Sequence, residues 1–155
     1  MTTQQPEKYF LLSSAIYAER KPTIVQTVLG SCVAVCLFDK VKDFGGINHY
    51  MMPVWKGEGL ASPKYGNIAI EKLLKRMLNL GAKKENLIAK IFGGASQYGE
   101  NTNFSIAKNN IQVAKDVLQE HKIPIIASNV GGEKGRRILF NTNTGEVLLK
   151  YVVKH

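Results

Sequence analysis

The sequence predicts an α+β fold with mixed or antiparallel sheets and two main helices on one face. Roughly seven or eight segments carry the residue types and alternation of strands, while only two segments have helical periodicity. Several neighbouring strand segments are separated by short turns. Short turns allow antiparallel pairing, whereas parallel strands need long crossovers, so a doubly wound parallel sheet is disfavoured.

The first half of the chain contains four predicted strands, over residues 9–17, 23–29, 33–38 and 45–52. The second of them alternates its side chains between two faces, as a half-buried strand does. The third is a nearly continuous apolar run, which is typical of a strand covered on both faces. Pro53 ends the fourth because proline cannot donate a hydrogen bond to the ladder.

A loop and two helices follow. Residues 55–65 are rich in Gly, Pro, Ser and Lys and are predicted as a surface loop, either a lid or a docking loop. The helices are predicted over residues 67–80, with Gly81 as a C-terminal cap, and over residues 108–121. The predicted buried face of the first helix consists of Ile70, Leu73, Leu74, Met77 and Leu78. That of the second consists of Ile111, Ala114, Val117 and Leu118.

The second half of the chain adds four predicted strands. Residues 87–92 lie between the two helices, and residues 124–130 follow the second helix. Residues 137–141 and 146–153 are separated by Asn143-Thr144-Gly145, whose composition is that of a tight turn. We therefore expect these last two segments to form a hairpin.

Length and composition predict one domain over residues 1–155, with flexible ends at residues 1–8 and 154–155. No stretch approaches the roughly 18 apolar residues that span a bilayer. The N-terminal residues lack the apolar core of a signal peptide. We therefore expect a cytoplasmic protein without membrane insertion.

The formal net charge of +9 indicates a surface attractive to acidic partners. A merely solvated basic face, an acidic protein partner and nucleic acid all remain compatible with this charge. Nucleic acid is the least favoured, because aromatic residues do not alternate with the cations as a stacking platform requires. We expect no nucleic-acid partner.

Cys32 and His49 are the strongest candidates for chemistry. Each follows closely on a glycine; Cys32 directly precedes one predicted strand and His49 lies within the next. A thiol needs a base to become a nucleophile at neutral pH, and an imidazole can take the proton and return it to a leaving group. The two segments are joined by a short turn near residues 41 and 42, which places position 32 opposite position 51. His49 is then about one residue pair away.

Less specific interpretations of these residues stay open. A free cysteine is most often a small buried hydrophobe, to which we assign Cys36, and a histidine is often a hydrogen-bonded core residue. Cys32 and Cys36, four residues apart on a strand, are too far apart to pair, so both are expected to be free thiols. Those two thiols do not converge, and His121 and His155 lack ligand spacing to them, so no metal site is expected.

Other catalytic and cofactor motifs are absent. Ser31 lacks the Gly-x-Ser-x-Gly context of a hydrolase elbow. The glycine pairs 93–94 and 131–132 match neither phosphate-binding nor dinucleotide-binding patterns and are interpreted as turn glycines. We expect no cofactor.

Two segments carry a resemblance to a known family. They are Leu29-Gly30-Ser31-Cys32-Val33-Ala34-Val35-Cys36-Leu37 and Gly46-Ile47-Asn48-His49-Tyr50-Met51-Met52-Pro53. Further matches follow at Tyr65-Gly66, at Ala89-Lys90-Ile91-Phe92-Gly93-Gly94-Ala95, at Gly131-Gly132 with Gly135-Arg136, and at Phe140 with Thr144-Gly145. Over about residues 10 to 150 the chain resembles the chemoreceptor glutamine deamidase family, CheD.

That resemblance implies a three-layer α/β/β sandwich, similar to the catalytic domain of the cytotoxic necrotizing factor toxins. It implies hydrolysis of glutamine side-chain amides in methyl-accepting chemoreceptor cytoplasmic helices, in chemotaxis adaptation. Cys32 takes the place of the family's nucleophile and His49 that of its base. A CheC-type phosphatase is an implied partner, and methyl-ester hydrolysis an implied side activity. The alternative is a binding module for such a phosphatase or for the receptor complex, without significant turnover.

The chain departs from the family pattern at two places. The threonine that orients the histidine lies six residues before the cysteine in the family, where this chain has Gln26. Thr27, one residue later, is the candidate for that role, although adjacent strand residues face opposite sides. Residues 106–110 replace an Ile-Gly-x-Arg-Asn pattern and retain Asn110. We expect this second departure to affect the loop before the second helix rather than the chemistry.

Overall fold

In the computed structural model of the chain, the described residues are 5–96 and 102–152, and the side chains of residues 102–104 are not described. These residues form nine strands, two α-helices and one short 3-10 helix, Lys84–Asn86. The strands are β1 (Glu7–Phe10), β2 (Ile16–Ala18), β3 (Thr23–Leu29), β4 (Val33–Asp39), β5 (Phe44–Asn48), β6 (Leu87–Gly93), β7 (Ile125–Val130), β8 (Arg136–Asn141) and β9 (Val147–Tyr151). The helices are α1 (Gly66–Asn79) and α2 (Thr102–Glu120).

The strands form two mixed sheets. One has the order β1-β3-β8-β9 and the other the order β2-β5-β4-β6-β7. Parallel pairing occurs between β1 and β3 and between β6 and β7, and the other neighbours are antiparallel. The predicted mixed or antiparallel arrangement is therefore confirmed.

Three layers follow from where the apolar side chains lie. Both helices pack on the five-stranded sheet, and apolar residues from that sheet and the helices form one core. A second core lies between the two sheets and includes Val25, Ile47, Ile138 and Phe140. The α+β sandwich with two helices on one face is confirmed.

Strand β4 is the central element of the molecule. All seven of its residues are buried, which confirms the interpretation of its apolar run. Val33 and Val35 belong to the helix-side core, whereas Ala34 and Cys36 belong to the core between the sheets. Successive side chains of a strand point to opposite faces, so this one strand joins the two cores.

The prediction of one strand over residues 9–17 is wrong. This segment contains β1 in one sheet and β2 in the other, with a crossing between them. Ser14 turns the chain there with a positive φ of 66°. The main chain of Leu11 bonds Gln26 in one sheet, while Ala15 bonds His49 beside the other.

The helices differ from the predictions in two details. Helix α2 begins at Thr102 rather than at residue 108, so residues 106–110 lie within the helix and not in a loop. Leu78, predicted on the buried face of α1, is 39% exposed. The remaining predicted core positions of α1 are buried, and Gly81 follows the helix with a positive φ, as predicted for a cap.

Several other predictions are confirmed. The hairpin β8–β9 turns across residues 142–146, and residues 55–65 lie outside helices and strands.

The fourth predicted strand is shorter than expected, because β5 ends at Asn48 and residues 50 and 52 make only isolated bridges. Of the ends predicted to be flexible, residues 1–4 and 154–155 lie outside the described residues, whereas residues 7 and 8 belong to β1.

No helix in the described part of the chain is long and apolar enough to cross a membrane.

Gly46 provides a test of the packing between β5 and α1. A Cβ at this position would lie 2.7 Å from the Cβ of Ala18 and 2.8 Å from Cδ1 of Leu73. We expect Gly46→Ala to lower the free energy of unfolding by about 1–3 kcal/mol through overpacking. The measurement is urea unfolding. Gly30→Ala is the control, because no atom lies within 4 Å of its added Cβ; equal losses in both variants would contradict the packing argument.

Candidate active site

The register of β4 and β5 brings Cys32 and His49 to the same region. The antiparallel pairing continues past β5, where the main chains of Val33 and Tyr50 exchange hydrogen bonds of 3.1 and 3.0 Å. Position 32 therefore lies opposite position 51, as predicted, and position 34 lies opposite His49. Cys32 packs against the core between the sheets. His49 belongs to the same face, two residues after Ile47.

Thr27 approaches His49 from the other sheet. It is fully buried on β3, and its hydroxyl oxygen lies 2.7 Å from Nδ1 of His49. The same hydroxyl donates to the main-chain carbonyl of Leu11 at 2.8 Å. A hydroxyl has one proton, so with that proton directed at Leu11 the oxygen must accept from the imidazole. This arrangement places the imidazole proton on Nδ1 and leaves Nε2 unprotonated.

Gln26 has no part in this contact. It is half-buried on the outer face of the four-stranded sheet, beside Phe10, Ile24 and Leu139. Thr27 shares the inward face with Val25 and Leu29, both fully buried. The geometry therefore brings Thr27 and not Gln26 to the histidine, one position later than in the family pattern.

The environment of His49 keeps its imidazole neutral. The residue is 5% exposed, and burial lowers the pKa of His49 from 6.5 to about 4. Its main chain is held on both sides, since its N–H donates to Ala15 at 3.2 Å and its carbonyl accepts from Ser14 at 2.7 Å. At neutral pH the side chain is thus a fixed, uncharged imidazole.

Cys32 is half-buried, and burial also raises the pKa of its thiol above the ordinary value. Its own main-chain N–H opposes this effect by stabilising the thiolate. Cys36 is fully enclosed, and burial raises its pKa much further. Both are free thiols, as predicted. The resting site therefore combines a neutral thiol with a neutral imidazole rather than a preformed ion pair.

The turn that carries Cys32 is held by the glycines at the end of β6. Gly94 donates to the carbonyl of Cys32 and Ala95 to that of Gly30, each at 2.9 Å. Gly93 has a φ of +109°, and a Cβ there would lie 2.2 Å from the Cys32 carbonyl oxygen. This glycine pair is therefore needed for close approach to the cysteine turn.

Asn110 is a residue of the site that the sequence interpretation set aside. It is fully buried on α2, and its Nδ2 donates to the carbonyls of Ser31 and Met51, each at 3.0 Å. The Tyr50 hydroxyl donates in turn to the Asn110 carbonyl at 2.5 Å. The retained asparagine of the family pattern was the signal that pointed to it.

The described residues contain no group of three or more His, Cys, Asp or Glu side chains that could hold a metal ion. His121 instead lies 2.5 Å from Glu71, on the surface between the two helices. His155 lies outside the described residues. The structure does not bring His121 to Cys32.

Comparison with known proteins gives the family. The model of CheD chemotactic sensory transduction matches residues 51–151. This chain belongs to the CheD family. A relative from Sulfurimonas denitrificans is 47% identical over 150 residues, covering 96% of both chains. One from Trichlorobacter lovleyi is 49% identical over 143 residues, covering 92% of this chain and 89% of its own. Both CheD relatives are named probable chemoreceptor glutamine deamidase.

Thiol alkylation tests the neutral resting state. We expect iodoacetamide to label Cys32 in the folded protein, at a rate that keeps rising past pH 9.0 because burial raises the thiol pKa above that value. Cys36 should react only after unfolding. Mass spectrometry of the labelled peptides gives both rates, and Cys32→Ala is the control. A fast rate independent of pH down to the acid range would contradict the neutral pair and indicate a thiolate.

Acid sensitivity tests the burial of His49. Because its pKa falls from 6.5 to about 4 on folding, the unfolded chain takes up the proton first as the pH drops. The contribution of the neutral His49 to the free energy of unfolding is complete above pH 6.5, the pKa in the unfolded chain. It is lost as the pH falls towards about 4, the pKa in the folded protein. We expect the wild type to lose about 2 kcal/mol more than His49→Gln between about pH 7 and pH 5, measured by urea unfolding. Equal losses would show that the imidazole titrates normally in the fold.

Proposed function

We propose that this chain is a protein-glutamine deamidase that converts glutamine side chains of chemoreceptor cytoplasmic helices to glutamate. The observation that carries the proposal is the hydrogen bond from His49 Nδ1 to Thr27, which leaves Nε2 unprotonated. The strand register brings this histidine to the region of Cys32. A neutral base next to a thiol is the requirement for nucleophilic acyl transfer. The names of the relatives supply the substrate class.

The first half of the reaction forms a thioester. His49 Nε2 takes the proton of the Cys32 thiol as the sulfur attacks the side-chain carbonyl of glutamine. Main-chain N–H groups at the cysteine turn stabilise the oxyanion of the tetrahedral intermediate. The imidazolium then gives its proton to the nitrogen, the C–N bond breaks, and ammonia leaves.

The second half releases the product. His49 takes a proton from water, and the resulting hydroxide attacks the thioester carbonyl. The C–S bond breaks, the thiol regains its proton from the imidazolium, and glutamate is released. Each turnover thus consumes one water and replaces a neutral amide of the substrate by a carboxylate.

Thr27 supports His49 in both halves. Its hydroxyl accepts from Nδ1 and so fixes the tautomer and the ring orientation, the role that a carboxylate plays in serine protease triads. When the imidazole becomes charged, the threonine oxygen and the Leu11 carbonyl behind it provide a polar contact in an otherwise apolar layer. The developing charge is therefore not left unpaired.

The proposal places the protein in the cytoplasm, where receptor signalling helices lie. The net charge of +9 would speed encounter with an acidic partner in a manner that added salt weakens. A CheC-type phosphatase is a further partner within this proposal. Methyl esters of receptor glutamates would react through the same thioester.

Deamidation of a receptor cytoplasmic fragment is the decisive assay. We expect wild type to release ammonia and to convert specific glutamines to glutamate, measured by peptide mass spectrometry. Cys32→Ala should be inactive because it lacks the nucleophile, and His49→Ala should be nearly so. Thr27→Val should lower kcat roughly tenfold to a hundredfold, because the tautomer is no longer fixed.

The control is Cys36→Ala, which removes the other thiol and should retain activity. Activity that survives Cys32→Ala would refute the assignment of the nucleophile. If wild type binds the receptor fragment or the phosphatase but never deamidates, the binding-module alternative is correct instead.

A further inference from the structure

Asn110 joins the two segments that carry the candidate nucleophile and base. Its two Nδ2 protons bond the carbonyl of Ser31, immediately before Cys32, and the carbonyl of Met51, two residues after His49. The main-chain carbonyl of Asn110 accepts a hydrogen bond from the hydroxyl of Tyr50, which immediately follows His49. One residue of α2 is thus bonded on both sides of the site.

Asn110 is energetically unfavourable at its position in the fold, which indicates that it has a specific role. Asparagine is a poor residue for a helix interior, and Asn110 lies within α2. It is fully buried, and its side-chain oxygen Oδ1 has no hydrogen-bond partner among the described residues. A buried unsatisfied amide is unfavourable and concentrates at functional sites.

The bond to Ser31 fixes the orientation of one peptide group. The peptide bond between Ser31 and Cys32 is planar and trans, so its carbonyl and its N–H point in opposite directions. Asn110 holds the carbonyl towards α2. The Cys32 N–H is therefore directed away from the helix, to the side where its own sulfur lies. That sulfur accepts from the N–H, and no main-chain carbonyl in the described part of the chain does so.

Building on the proposed function, we propose that Asn110 is a positioning residue that aims the Cys32 main-chain N–H at the oxyanion of the tetrahedral intermediate. It touches neither the substrate nor the sulfur and acts only through the peptide group that it holds. Its contribution belongs to acyl transfer, in which a carbonyl oxygen becomes charged. Reactions of the thiol that develop no oxyanion should depend on it much less, because there the N–H stabilises only the thiolate.

Two reactions of the same thiol separate this role from a merely structural one. We expect Asn110→Ala and Asn110→Asp, neither of which can donate to Ser31, to lower kcat for deamidation roughly tenfold to a hundredfold while KM stays within about twofold. Alkylation by iodoacetamide is a direct displacement without an oxyanion. Because the same N–H also stabilises the thiolate, the alkylation rate at Cys32 should fall, but by no more than about threefold and so much less than kcat for deamidation.

The matched control is Thr142→Ala. Thr142 lies beside Thr23 at the start of β3, whereas the candidate site lies near the end of that strand. Thr142 is also buried, and its hydroxyl accepts from the Thr23 main chain at 3.0 Å. This variant should lose stability without losing kcat. Unchanged kcat in folded Asn110 variants, or equal losses in deamidation and alkylation, would overturn the inference. If the wild-type protein does not deamidate the receptor fragment at all, the proposed function itself is refuted instead.

A measurement on wild type applies even if the Asn110 variants do not fold. A peptide with an aldehyde in place of the glutamine amide should add the Cys32 thiol and form a hemithioacetal, with the thiol proton transferred to oxygen. In a crystal structure of this adduct, the oxygen should lie within hydrogen-bond distance of the Cys32 nitrogen. An oxygen directed elsewhere would overturn the role of Asn110.

Discussion

The proposed chemistry of this site depends on a hydroxyl that has a single proton. The Thr27 hydroxyl donates its hydrogen bond to the Leu11 carbonyl, and for this reason its oxygen can only accept a hydrogen bond from His49. The segment that supplies Leu11 crosses from one sheet to the other, so the tautomer of the histidine follows from the path of the chain. The base is thereby defined without a carboxylate, which would bring a charge into an apolar layer at a high desolvation cost.

A site without permanent charges suits its surroundings. Burial shifts the pKa of Cys32 upwards and that of His49 downwards, so each group alone is uncharged at neutral pH. In the proposed mechanism, charge separation occurs only when the sulfur attacks a carbonyl, where main-chain N–H groups can stabilise the oxyanion. The same arrangement protects the thiol, since a neutral sulfur reacts slowly with oxidants and stray electrophiles.

Local patterns in the sequence predicted most elements, and long-range contacts explain the rest. The register of Cys32 against His49 follows from a short turn between two strands, which counting can recover. The inward face of β3 was ambiguous, because apolar residues occupy both faces, so Thr27 and Gln26 could not be separated by alternation alone. The strand break at Ser14 and the contacts of Asn110 depend on partners many residues away, and the local alternation of residues carries no information about such partners.

The chain crosses from one sheet to the other between β3 and β4. The packing between the sheets therefore sets the geometry of the candidate site. Thr27 lies before this crossing on one sheet, and Cys32 lies after it, beside the other. Side chains such as Val25, Ile47 and Phe140 therefore act as spacers that set how far the threonine stands from the sulfur and the ring. A methylene gained or lost in this layer changes the gap between the sheets, so under the proposed mechanism such substitutions would alter turnover although the residues do not contact the substrate.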